Sequence, residues 1–116
     1  VRVKVGIGTT TGSDQAVYIF GYGGEDTTNF NSLTSGTDAA ITTSASNMPL
    51  VGIINCKDGP FTSTDLTIII GSVAQSFGGN LPKYWGIVIG NSSGGSLVNT
   101  AANHAVSFTG IYATST

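Results

Sequence analysis

Two glycine-rich stretches of the chain match, in spacing, motifs that carry chemistry in enzymes. Residues 6–12 (GIGTTTG) resemble a loosened dinucleotide-binding fingerprint, and residues 90–94 (GNSSG) fit the G-x-S-x-G pattern of a nucleophile elbow. The first motif needs a helix facing a pyrophosphate, and the second needs a strand-to-helix turn with a later acid and histidine. Here strand-like segments flank both stretches, and no carboxylate follows residue 65. We therefore interpret both stretches as turns.

The other reactive side chains are isolated in the sequence. Cys56 is the only cysteine and His104 the only histidine, so a tetrahedral zinc site and an intramolecular disulfide both lack partners. We predict that Cys56 is a buried small hydrophobic residue and that His104 has a structural, half-exposed role. A calcium site built from Asp14, Glu25 and Asp26 is an alternative, although solvation at the surface explains these carboxylates better. We assign no catalytic, cofactor-binding or metal-binding residue.

Charge is scarce in this chain. Four basic and six acidic residues among 116 give a formal net charge of −2, while 40% of the residues are hydrophobic. Nucleic-acid binding usually engages about six to ten phosphates, more than these cations can neutralise. The chain also lacks an apolar run of about 18 residues and a basic amphipathic helix. We expect neither nucleic acid nor a membrane as partner, and a near-neutral surface favours association with other proteins.

Apolar residues alternate with a period of two along most of the chain, which is typical of strands. Turn residues (Gly, Pro, Asn and Asp) separate these segments. About seven or eight short strands without a helix predict an all-β fold, an antiparallel β-sandwich or jelly roll in one domain over residues 1–116. The predicted strands are 1–7, 16–22, 39–43, 50–55, 65–73, 84–89, 97–98 and 104–112. Residues 16–22 (AVYIFGY) are apolar on both faces, which predicts a central strand that is covered on each side.

Glycines and aromatic residues inside the predicted strands indicate how the strands pack. Interior glycine often marks a bend or a close backbone approach, so we expect bent strands or rings packed across glycine gaps. The adjacent residues Tyr84 and Trp85 must point to opposite faces of a strand. One of the two should lie in the core and the other at the surface or at an interface. The interior glycines are Gly21, Gly52, Gly71, Gly86 and Gly110.

The polar stretch 21–31 (GYGGEDTTNFN) is the best candidate for a contact site. Sugar-binding β-sandwiches place an exposed aromatic ring beside acidic or amide side chains, and protein interfaces also favour Tyr and Trp. The predicted contact residues, to a partner or a glycan, are Tyr22, Glu25, Asp26, Asn29, Phe30 and Asn31.

Near the C-terminus, residues 81–89 (LPKYWGIVI) precede an Asn/Ser/Gly turn, and residues 106–112 (VSFTGIY) follow as a terminal strand. These segments resemble the terminal hairpin of small tailed-phage virion proteins. The composition, rich in Gly, Ser and Thr and poor in charge, is also similar to that of capsid decoration, or cement, proteins. This resemblance implies binding to the outside of a capsid shell, often as a trimer that clamps neighbouring capsomers.

We therefore expect a non-enzymatic virion structural protein that decorates or cements a capsid shell without covalent bonds. Its partners would be capsid protein subunits and its own copies, at the outer capsid surface or otherwise outside the cell. Sheet edges with few charges are open to strand addition, which independently favours an assembly. The alternative is a carbohydrate- or receptor-binding module, lectin-like or the tip domain of a tail fibre.

Overall fold

The computed structural model describes residues 1–12, 15–28, 30, 47–57, 59–61 and 63–110. This part of the chain contains strands and short 3-10 helices, among them Ala74–Phe77 and Ala101–Asn103. The all-β class predicted from the sequence is confirmed. The six strands are β1 (Arg2–Gly6), β2 (Ala16–Gly24), β3 (Leu50–Asn55), β4 (Asp65–Ile69), β5 (Tyr84–Ser92) and β6 (Ala105–Ser107).

The strands form two antiparallel sheets of three strands each. In the β1 sheet, β1 is the central strand between β4 and β6. In the β2 sheet, β2 is central between β3 and β5, and β2 pairs with β5 along its whole length, from Ala16 opposite Ser92 to Gly24 opposite Tyr84. The sequence prediction that β2 is a central strand is thereby confirmed.

The inner sides of the two central strands hold the core. Along β1 and just after it, Val3, Val5 and Ile7 are buried, and along β2, Val17 and Ile19 have no exposed surface. Because side chains alternate across a strand, these residues share one side of each sheet. Each such side chain contributes about 1.5–3 kcal/mol when fully removed from water. The same cluster includes Ile54, Ile70 and Val73.

Two interior glycines allow aromatic rings to lie directly on the sheet. A Cβ atom at Gly21 would lie 2.8 Å from the Phe77 ring, and one at Gly86 would lie 2.5 Å from the Tyr22 ring. The predicted packing of rings across glycine gaps is therefore present at both positions. Gly71 and Gly110 lie outside the strands, contrary to prediction.

The strand count in the described residues is six, fewer than the sequence suggested. Strand β4 ends at Ile69 because bends at residues 71–73 lead into the first 3-10 helix. The predicted strand 97–98 is reduced to one bridge, between Leu97 and Ile7. The closing strand covers only Ala105–Ser107. This strand, β6, pairs with β1, whereas β5 pairs with β2, so in the described residues the two do not form the C-terminal hairpin expected from the sequence. The predicted strand 39–43 and the end of the closing strand, 111–112, lie outside the described residues.

Replacing Ile19 with Ala should destabilise the protein strongly. Ile19 is fully buried, so the substitution leaves a cavity and should cost about 2–5 kcal/mol in the free energy of unfolding. The matched control is Ile69→Ala, since Ile69 is 79% exposed and should lose less than about 0.5 kcal/mol. Denaturant titration of both variants measures the difference, and equal losses would contradict this core.

Candidate binding surface

The structure brings together part of the contact site predicted from the sequence. Tyr22 lies near the end of β2, and a bridge between Gly24 and Phe30 returns the chain to that strand. The rings of Tyr22 and Phe30 meet edge to face, with their centroids 5.4 Å apart. Glu25 and Asp26 lie in the exposed turn between them. The other two predicted contact residues, Asn29 and Asn31, lie outside the described residues.

The acidic turn is shaped by one of its own carboxylates. The Asp26 Oδ1 atom accepts hydrogen bonds from the Thr28 backbone N–H at 2.8 Å and from the Thr28 hydroxyl at 2.9 Å. An aspartate that binds the backbone two residues ahead stabilises a turn of this kind. Asp26 thus stabilises the turn, and Glu25, which precedes it and is also exposed, directly follows the Gly24 position that bridges to Phe30.

A larger apolar surface continues from Tyr22 across the outer side of the β2 sheet. Residues that pair directly across strands share a side of the sheet, which places Ile53 beside Tyr18 and both Leu50 and Val88 beside Phe20. The Tyr18 and Phe20 rings stack with their centroids 6.2 Å apart. We call this surface the aromatic face; its members are Tyr18, Phe20, Tyr22, Leu50, Ile53 and Val88.

Sequence reasoning identified only one end of this surface. Residues 16–22 (AVYIFGY) are apolar at every position, and we interpreted the strand as covered on both sides. In the described residues the outer side is only half-covered: Leu50 is 47% exposed and Ile53 is 45% exposed. The alternation of Tyr18, Phe20 and Tyr22 with Val17 and Ile19 was the signal that could have identified the outer stripe.

The outer side of the β1 sheet has a different character. Arg2 and Lys4 alternate with the core valines of β1, and Asp65 lies opposite Gly6 on the same side. The Lys4 ammonium lies 3.3 Å from a carboxylate oxygen of Asp65 and also donates to the Ala102 carbonyl. The two outer sides of the protein therefore differ, one carrying charges and the other aromatic rings.

Tyr84 and Trp85 divide between the two sides of the β2 sheet, as predicted. Trp85 pairs with Gly23 on the inner side, and its ring meets Phe108 edge to face at 5.7 Å. Tyr84 lies on the outer side, is 37% exposed and has the Lys83 ammonium 5.4 Å from its ring centroid.

Residues 6–12 and 90–94, the two stretches whose spacing matches enzyme motifs, lie next to each other. Backbone hydrogen bonds join the loops at this place. Gly8 donates to the Ser96 carbonyl and Gly12 to the Ser93 carbonyl. The Ser93 hydroxyl is fully buried and donates to the Asn91 side chain at 2.6 Å. Ser92, at the nucleophile position of the motif, ends β5 opposite Ala16. Directly after Ser92, residues 93–95 form a bend rather than a helix.

His104 and Cys56 have the structural surroundings predicted for them. The half-buried His104 ring receives the Gly6 N–H at Nδ1, 3.3 Å away, and its Nε2 lies 2.7 Å from the Val98 carbonyl. These partners imply a ring protonated at Nε2, and the ring thereby joins β1 to the segment before β6. The Cys56 side chain is fully buried directly after β3.

In the described part of the chain, no three His, Cys, Asp or Glu side chains cluster closely enough to hold a metal ion. None of its helices has the length and apolar character that crossing a membrane requires. A groove of about 440 Å³ lies beside β3 and β4, away from the aromatic face. Its lining residues are Val51, Ile68, Ile69, Ile70, Gly71, Ser72, Gln75 and Ser76.

Replacing Gly86 with Ala should disturb one end of the aromatic face. The new methyl group would meet the Tyr22 ring, so the ring must move away and its pairing with Phe30 is lost, at a cost of about 1–3 kcal/mol in unfolding free energy. Gly71→Ala is the matched control, because no atom lies within 4 Å of the added carbon. Unfolding experiments on the two variants test this packing; similar stabilities would contradict it.

Comparison with known proteins gave no relative: no family model, no curated protein and no solved structure matches this chain.

Proposed function

We propose that the protein is a virion structural protein that decorates or cements a capsid shell, and that the aromatic face is the surface that binds the shell. The observation that carries this proposal is the contrast between the two outer sides, charged on the β1 sheet and aromatic on the β2 sheet. The binding is non-covalent, and its partner is a capsid protein subunit.

The composition of the aromatic face suits a protein partner. Large exposed apolar patches on soluble proteins mark interaction sites, and aromatic residues are enriched at protein interfaces while Lys, Glu and Asp are depleted. None of the six residues that define the face is charged. Tyr18, Phe20 and Tyr22 are half-buried rings with few rotatable bonds, so little side-chain entropy is lost when a partner orders them.

The architecture that we propose for this role is the β-sandwich or jelly roll expected from the sequence. Its support is the shared core, in which Val3 and Val5 of the β1 sheet and Val17 and Ile19 of the β2 sheet belong to one buried cluster. The sequence resemblance of residues 81–89 and 106–112 to virion proteins supports the capsid as the partner, although these segments contribute to different sheets rather than to one hairpin. The outer capsid surface follows as the location.

A carbohydrate-binding module is the second candidate function. It is favoured by the edge-to-face pair of Tyr22 and Phe30 next to the exposed Glu25. A sugar would stack on the aromatic pair and hydrogen-bond to the acid. A glycan array followed by titration with soluble sugars distinguishes the two functions: saturable binding that Tyr22→Ala abolishes would favour the sugar-binding module over decoration.

Replacing Ile53 with Asp should abolish binding to the shell. The substitution puts a charge on the aromatic face beside Tyr18, and burying that unpaired charge in an interface is costly. Ile69→Asp is the matched control, since Ile69 is an exposed isoleucine on the outer side of the β1 sheet. The measurement is co-sedimentation of each purified variant with capsid particles of the virus that encodes the chain, after its own copies have been removed.

The expected result is that the wild type and Ile69→Asp sediment with the particles, whereas Ile53→Asp stays in solution. Loss of binding in Ile69→Asp alone would indicate that the shell contacts the outer side of the β1 sheet. It would contradict the proposal that the aromatic face binds the shell. If the wild type does not bind the particles, and mass spectrometry does not detect the chain in untreated ones, the decoration function is wrong.

A further inference from the structure

The outer edge of β5 has hydrogen-bonding groups that face away from its sheet. The N–H of Gly21 donates to the Pro49 carbonyl, and the Gln15 carbonyl accepts from Cys56, so both groups point toward β3. The N–H and C=O groups of successive residues point alternately to the two sides of a strand. Those of Tyr18, Phe20 and Tyr22 therefore point toward β5. Their partners are Gly90, Val88 and Gly86. The intervening residues of β5, Trp85, Ile87 and Ile89, therefore direct their N–H and C=O groups to the outer edge.

This edge lacks the features that usually prevent strand addition. Strand β5 is nine residues long (YWGIVIGNS), with no charged residue and no proline. In the described part of the chain, β2 is its one neighbouring strand, and no strand pairs with β5 on the side away from β2. Natural proteins protect such edges with charges, proline, bulges or short strands. The opposite edge, β3, is shorter and has a register shift against β2.

The same side of the protein also exposes residues that belong to the inner side of the β1 sheet. Val106 pairs with the core residue Val3, yet it is 49% exposed, and Phe108, packed on Trp85, is 69% exposed. At the opposite side, Ile54 and Ile70 are buried. Beside β3 and β4 these inner side chains are thus covered, with a groove between the strands, whereas beside β5 and β6 large apolar side chains are exposed.

We propose that a second copy of this chain covers this side, with the two β5 strands pairing antiparallel across a two-fold axis. The paired strands would join the two β2 sheets into one continuous sheet. The exposed Val106 and Phe108 of each copy would then be covered by the other. An uncharged edge is complementary to itself, and a net charge of −2 per chain opposes association only weakly. This pairing differs from the three-fold assembly that the family resemblance implies, and it does not depend on binding to a shell.

Replacing Phe108 with Lys tests the pairing, because the new charge would be buried against the second copy. Sedimentation or native mass spectrometry of the full chain over a concentration series should show a wild-type dimer. In Phe108→Lys the dimer dissociation constant should rise by roughly a hundredfold. Ile69→Lys is the control, since Ile69 is exposed on a different surface and its replacement should leave dimerisation unchanged.

Amide hydrogen exchange provides a measurement that does not depend on a variant folding well. The amides of Trp85, Ile87 and Ile89 should exchange more slowly as the protein concentration rises, whereas the Ile53 amide at the outer edge of β3 should not change. A monomer at every concentration, a trimer, or a dimer that Phe108→Lys does not weaken would each overturn the two-fold pairing. Shell binding by a monomeric wild type would overturn this inference alone, whereas a dimer that binds no particles would count against the proposed function alone.

Discussion

The structure depends on the packing of two central strands against each other. Val3 and Val5 of β1 and Val17 and Ile19 of β2 are fully buried, and with a single cysteine no intramolecular disulfide can support them. Because side chains alternate along a strand, fixing these residues inward also fixes which residues face outward. The charged side of the β1 sheet and the aromatic face of the β2 sheet are therefore consequences of the same core.

Much of this fold could be predicted from the sequence because its local signals agree with one another. The period-two alternation identified β1, and apolar runs of strand length between turn residues identified β2, β3 and β5. Strand β5 continues to Ser92, three residues past its predicted end and into the predicted Asn/Ser/Gly turn. The lengths of the strands near Gly71 and Leu97 were less predictable. Near Gly71 the backbone bends, and Leu97 pairs by a single bridge to Ile7. Both outcomes depend on tertiary contacts, which no local sequence pattern encodes.

The site was less predictable than the fold, for a physical reason. The stretch around Tyr22 and Glu25 was recognisable, since an aromatic residue beside acids in a turn is a local pattern. The aromatic face combines Tyr18 and Phe20 with Ile53 and Val88 from two other strands, and only the pairing register brings these residues together. Where a strand is apolar on both sides, each apolar residue can lie in the core or at an interface. The sequence does not distinguish these two environments.

The contact between Gly86 and the Tyr22 ring has a consequence for how related sequences can vary. The two positions lie opposite each other on neighbouring strands, and the ring occupies the space that any larger side chain at position 86 would need. Position 86 therefore cannot hold a larger side chain unless the side chain at position 22 becomes smaller. In an evolutionary lineage of this fold we expect covariation: a residue larger than glycine at position 86 should accompany a small residue at position 22.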